Sequence, residues 1–184
     1  MGVKLKLIVA ASENMGIGKS GTLPWRLKNE MAYFSKMTTT TKQTSCKNVV
    51  IMGRKTWDSI PGKYKPLPGR INFILSRSNL NLEQFPDTFA FKSFDQAYET
   101  LQDSKFQQSY EDVWVIGGSS LYEEALASPY FQKLYLTKIQ KNFDCDTFLP
   151  IVLETLKEVS EEDIPQGLQE ENGLRYTYHV YVKA

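Results

Sequence analysis

Residues 112–123 read DVWVIGGSSLYE. Asp112 to Ile116 form a short apolar run of strand type, the glycine pair Gly117-Gly118 stops it, and Ser120 stands three residues before Glu123 in the pattern of a helix capping box. Strand, tight turn and helix in direct succession make one βα unit, and the same punctuation recurs on both sides. Upstream, residues 4–11 read as a buried strand, and a helix runs from Leu27 to about Thr39, with Pro24 as a helix-start signal. NVVIM at 48–52 is a buried strand, followed by Gly53-Arg54-Lys55-Thr56 and a short helical turn to Ser59. Residues 70–76 and Thr88–Phe91 read as strands, and Ser93 with Gln96 forms a second capping box ahead of another helix. Downstream come strands at 133–140, 154–159 and 175–182, with no helix between the last two. This pattern predicts an α/β domain spanning residues 1–184, with a mainly parallel central sheet flanked by helices and an antiparallel C-terminal edge strand.

The totals narrow the function classes. The chain has 184 residues, 41% of them hydrophobic and 23% charged, with a formal net charge of +1. That charge gives no general basic footprint for nucleic acid, and no apolar run approaches the roughly 20 residues of a membrane span. Cys46 and Cys145 form no framework, so a reducing, cytoplasmic setting is expected. His179 is the only histidine and lies in a strand-like run, where a structural role is expected. No cluster has metal-ligand spacing, and no metal is expected.

The chemistry concentrates in LPWRLKNEMAYF, residues 23–34. Leu27, Met31 and Phe34 recur at helical spacing as an apolar stripe, and Glu30 falls on its edge. A carboxylate there either turns outward to solvent or serves a ligand, since burying it alone is costly. Residues 16–21 match a dinucleotide-type GxGxxG, but no helix opens at once and no acid follows at the required distance. The stretch reads instead as a mobile loop between strand and helix. Three strand ends carry groups suited to phosphate: Gly53 to Thr56, Ser76-Arg77-Ser78, and Gly117-Gly118 before a helix N-terminus. Each alone is equally compatible with a solvated turn, but together they suggest a polyanionic cofactor along one sheet edge.

At this point the residues resemble a family, the dihydrofolate reductases of the eukaryotic, monofunctional kind. The segments carrying the resemblance are IVAAS (8–12), ENMGIGKSGTLPW (13–25), VIMGRKTW (50–57), IPGKYKPLPGR (60–70), ILSRS (74–78), VWVIGGSSLY (113–122), LTKI (136–139) and DCDTFLP (144–150). No thymidylate synthase segment accompanies them. The resemblance implies NADPH-dependent reduction of 7,8-dihydrofolate to tetrahydrofolate by a monomer that also binds antifolate-type inhibitors and needs neither nucleic acid nor a membrane. It assigns catalysis to Glu30, Trp25 and Leu23, and the substrate to Ile8, Val9, Glu30, Phe34, Ile60, Arg70, Ile116 and Thr137. It assigns the cofactor to Ala10, Ile17, Gly21, Arg54, Lys55, Thr56, Ser76, Arg77, Gly117, Gly118, Ser119, Ser120, Leu121 and Tyr122. Within this pattern Glu30 binds the pterin 2-amino side, Thr137 bridges to it, and Arg70 holds the tail carboxylate. Thr22 and Arg26 depart from the residues many relatives carry there. A riboflavin-pathway type of reductase and a non-catalytic nucleotide- or pterin-binding protein are the alternatives.

Overall fold

The computed structural model describes residues 2–184. Its frame is a nine-stranded sheet built on β1 (Leu5–Ala11), β3 (Lys47–Gly53), β4 (Arg70–Leu75), β5 (Thr88–Phe91), β6 (Tyr110–Val115), β7 (Phe131–Ile139), β9 (Leu156–Val159), β10 (Gln169–Glu171) and β11 (Leu174–Lys183). The strand order is β10-β11-β7-β1-β6-β3-β4-β5, with β9 also paired to β11. β1, β3, β4, β5, β6 and β7 run parallel, while β11 lies antiparallel to β7 and carries the short β9 and β10 on its outer side. A second small pairing joins β2 (Gly16–Gly18) to β8 (Thr147–Phe148).

Alternation along the central strands sorts the core into two layers. Leu7 and Val9 of β1, Val49 and Ile51 of β3, and Val113 and Val115 of β6 pack with α3 (Phe94–Gln102) and α4 (Ser119–Ala127) on one face. Ile8, Val50, Met52, Trp114 and Tyr135 pack with Tyr33 of α1 (Lys28–Thr39) and Trp57 of α2 (Arg54–Ser59) on the other. Both faces are thus covered, which is why these strands read as continuous apolar runs. Among the described residues no helix is long and apolar enough to cross a membrane.

Local signals succeed and fail for identifiable reasons. Ser93 Oγ accepts from the Gln96 amide at 3.2 Å, while the Gln96 side chain accepts from Lys92 N–H at 3.1 Å, so this helix start forms much as its sequence says. The expected box at Ser120 does not form: α4 begins at Ser119 behind Gly118, with no side-chain cap, and Ser120 falls inside the first turn. The strand expected over 154–159 begins at Leu156, because Leu153–Thr155 make a 3-10 turn. Nor does a helix start at Pro24; α1 opens at Lys28, where the Glu171 carboxylate of β10 accepts from the Lys28 and Asn29 amides at 2.7 and 2.8 Å. The other end of α1 is tied to β3, since Asn48 Nδ2 donates to the carbonyls of Thr38 and Thr40, each at 3.0 Å.

Candidate active site

The C-terminal ends of β1, β6, β3 and β4 lie side by side, and α1 crosses next to them on the Trp114 face. Glu30 is in the first turn of α1 with only 8% of its surface exposed. It does not turn outward to solvent. Its Oε1 accepts from the Thr137 hydroxyl of β7 at 3.1 Å, and no ion-pair partner faces it among the described residues. Burial penalises its charged form and pushes its pKa up to about 7, while the Thr137 bond pulls in the opposite direction.

The apolar stripe expected on α1 needs correction. Leu27 is buried and Phe34 half-buried, but Met31 is 57% exposed. On a helix, positions 31, 34 and 38 share a side, which grades from exposed Met31 through half-buried Phe34 to fully buried Thr38, while Tyr33 is the α1 residue buried in the core layer. Tyr33 stacks on Tyr178 of β11 with centroids 4.0 Å apart. At the far end of the cleft side stands Thr38, whose hydroxyl accepts from Arg70 Nη1 at 2.9 Å. Arg70 also donates from Nε to the Pro68 carbonyl at 3.0 Å and is 5% exposed, with no carboxylate partner among the described residues. Burial lowers its pKa. Glu30 and Thr38 stand eight positions apart on the helix, about 12 Å along the axis. The cleft therefore has a buried acid at one end and a buried cation at the other.

Ile8 and Ile116 lie on the same sheet face as Glu30, with Ile60 and Phe34 packed against that layer. Trp25 is buried with Leu27 and Ala10, and its indole N–H finds no acceptor among the described residues. Leu23, two residues earlier in the same segment, is exposed. Val9 is brought to the opposite sheet face by strand alternation, so only its backbone can contribute to the cleft.

The expected cofactor residues divide likewise. Gly53 N–H donates to the Gly117 carbonyl at 2.8 Å, and a Cβ at Gly53 would stand 3.7 Å from the Gly118 nitrogen, so the ends of β3 and β6 nearly touch. The Gly117–Gly118 peptide is cis. Thr56 Oγ1 lies 3.4 Å from where a Gly117 Cβ would be. Across the adjacent end of β4, Arg54 Nη1 donates to the hydroxyls of Ser76 and Ser78 at 3.4 and 3.1 Å, while its Nε is engaged by Asp58. Lys55 and Arg77 are exposed beside them. The uncapped first turn of α4 presents the amides of Ser119, Ser120 and Leu121, matching an anion. Two of the expected side chains face elsewhere. The Leu121 side chain is in the core and offers only its backbone. Tyr122 is buried, its hydroxyl donating to the Ile8 carbonyl at 2.8 Å, and thus braces β1 against α4. Gly21 sits at an exposed turn closed by the Lys19–Thr22 bridge, where Ser20 and Gly21 both have positive φ. Ile17 belongs to β2, and the Ser119 hydroxyl donates to the Phe148 carbonyl of β8 at 2.9 Å, fastening that small pairing to α4.

Sequence reasoning missed Thr38, Glu171 and Tyr178. None carries a local signal, since each acts on a partner more than 30 residues away.

A family profile described as dihydrofolate reductase matches residues 4–183. A dihydrofolate reductase of Heliothis virescens is 47% identical over 184 residues, covering 98% of each chain, and one of Sus scrofa is 47% identical over 184 residues, covering 97% of each. The solved structure of Schistosoma mansoni dihydrofolate reductase superposes with a TM-score of 0.88 over 100% of both chains at 38% identity. Likeness of this extent, spread over every strand and over the cleft between Glu30 and Arg70, means that the chain belongs to the dihydrofolate reductase family.

Proposed function

We propose that the protein reduces 7,8-dihydrofolate to 5,6,7,8-tetrahydrofolate with NADPH, hydride reaching C6 and a proton N5. The observation that carries this reading is a pair of buried ionisable groups of opposite type, neither with an ion-pair partner among the described residues: Glu30 in the first turn of α1, and Arg70 of β4, which donates to Thr38 at the other end of that helix. A folate has the complementary chemistry: a heterocycle edge rich in N–H donors at one end and a carboxylate at the other. Arg70 suits the carboxylate because its planar fork can donate twice. Glu30 receives the 2-amino group and ring N–H, with Thr137 fixing its orientation, and Ile8, Phe34, Ile60 and Ile116 supply the apolar walls. Antifolate-type inhibitors with a similar donor edge would compete for the same end.

The adjacent strand ends fit a dinucleotide carrying an extra phosphate. The close approach of Gly53 to Gly117 and Gly118 admits a ligand against backbone, and the free amides of α4 suit the pyrophosphate. Arg54, Ser76 and Arg77 suit the additional 2′-phosphate, which favours NADPH over NADH. When bound, the nicotinamide supplies the hydride.

The chain's own contribution is the proton. A carboxyl with a pKa of about 7 retains its proton on a substantial fraction of molecules at neutral pH. Glu30, engaged with the 2-amino side, does not reach N5 directly. We assign the final transfer to a water on the Trp25 and Leu23 side of the site. We take a cytoplasmic monomer as the setting of this reaction; both cysteines are unpaired. The test is loss of NADPH absorbance on adding dihydrofolate. Glu30→Gln should slow single-turnover hydride transfer at pH 7 by roughly 100- to 10,000-fold, the expected worth of general acid catalysis. The deficit should narrow as pH falls, because solvent then protonates the substrate. A parent protein that consumes NADPH with another heterocycle and not with dihydrofolate would refute the assignment.

A further inference from the structure

Glu30 occupies the third position of α1. An acid there ordinarily reaches back to cap the helix, and the N-terminal dipole favours its anion. Here the side chain turns inward to Thr137 instead, and the residue before the helix, Leu27, has no capping group. The capping comes from Glu171, 143 positions beyond Lys28 and 142 beyond Asn29 in the chain. Both oxygens of Glu171 are used, one on the Lys28 amide at 2.7 Å and one on the Asn29 amide at 2.8 Å.

The element that presents Glu171 is a tight hairpin. β10 and β11 pair in register, Glu171 against Leu174, across a two-residue turn in which Asn172 and Gly173 have φ of 54° and 78°. Positive φ at both central positions is the turn that matches strand twist. The same β11 places Tyr178 against Tyr33, so the C-terminal hairpin grips α1 at two points flanking Glu30.

Resting on the reductase reading, we propose that Glu171 is a positioning residue for the proton-transfer step. Its two-pronged hold on α1 aims Glu30 at the cleft, and its charge offsets the helix N-terminus that would otherwise draw the proton off Glu30.

Glu171 is half-buried at the helix start, and no cation stands among the groups about Glu30 that would cancel its field. The groups around Glu30 are Tyr33 on α1, Tyr122 on α4, Thr137 on β7, and Tyr176 and Tyr178 on β11, none of them a cation. Glu171→Gln keeps the shape and one acceptor but removes the charge; Glu171→Ala removes both. The direct readout is the infrared band of the protonated carboxyl that Glu30→Gln abolishes, titrated in the protein without ligands. In Glu171→Gln its midpoint should fall by about half a pH unit, the scale of a charge at a helix N-terminus. Dihydrofolate turnover should then drop about threefold at pH 8 and match the parent near pH 5.5, with NADPH affinity unchanged. Glu171→Ala should show the same midpoint shift and an added fall in kcat at every pH. A midpoint unmoved in both variants, with only folding stability reduced, overturns the proposal and makes Glu171 an ordinary cap. A parent that fails to turn over dihydrofolate refutes the reductase reading instead, and the infrared midpoint still decides the role of Glu171.

Discussion

Replacing Glu30 with Gln should make the ligand-free protein more resistant to unfolding as pH rises. In the unfolded chain the carboxyl titrates near 4.5, and in the folded chain burial raises that to about 7. Between those values the folded state holds a proton that the unfolded state has released. Raising the pH therefore favours unfolding, and the stability present below pH 4.5 is lost through this window and fully lost above about pH 7. The gap is roughly two and a half units at about 1.4 kcal/mol per unit, so the ionised carboxylate costs the folded state about 3 kcal/mol. Glu30→Gln removes the titration while leaving an oxygen to accept from Thr137. Its amide protons introduce a fixed penalty of about 1–3 kcal/mol if unpaired. That penalty does not vary with pH, so the informative quantity is the change in the difference between the two proteins. Urea unfolding at pH 5, 6, 7 and 8 should show the variant gaining about 2–3 kcal/mol on the parent across the range. Such a change exceeds the roughly 0.5 kcal/mol typical of surface substitutions. Parallel stability curves would mean that Glu30 titrates normally, and the account of it as a proton reservoir would fail.

Thr137→Val removes the one hydrogen bond that favours the Glu30 anion, so the midpoint of Glu30 should move further up. The pH dependence of the stability difference between the parent and Glu30→Gln, measured again with Thr137→Val present in both proteins, reads that shift, and a downward move would contradict it. Arg70→Lys should weaken dihydrofolate by about 10- to 100-fold, the equivalent of one charge-assisted hydrogen bond, and leave a pterin without the glutamyl tail unaffected. Equal weakening of both ligands in equilibrium titrations would make Arg70 a structural anchor for the 61–69 connection through Pro68.

The parallel core was legible because strands covered on both faces read as apolar runs, as at 49–52 and 113–116. The capping box at Ser93 was legible because its bonds span three or four residues. Glu30 was visible as an anomaly, an acid on the edge of an apolar stripe, and the resemblance to a family supplied its role. What the sequence did not announce was made by residues far apart in the chain. β2, β8 and β10, reading GIG, TF and QEE, carry no hydrophobic period and exist only as partners for other strands. Met31 belongs by spacing to a core stripe, but nothing among the described residues packs over that part of α1 and it is exposed. Val9 and Ile8 are neighbours in sequence and face opposite layers, and only the sheet's packing says which layer holds the site. Ser120 has the letters of a cap, yet the turn at Gly118 starts the helix before it. Pro24 signals a helix start that is set instead at Lys28 by Glu171. Local signals report bonds that close within a turn or two of backbone. The burial of Glu30 and Arg70, and the distance between them, come from strands and helices that meet only when the sheet has formed, and that meeting is what turns two ordinary charged side chains into the ends of a binding cleft.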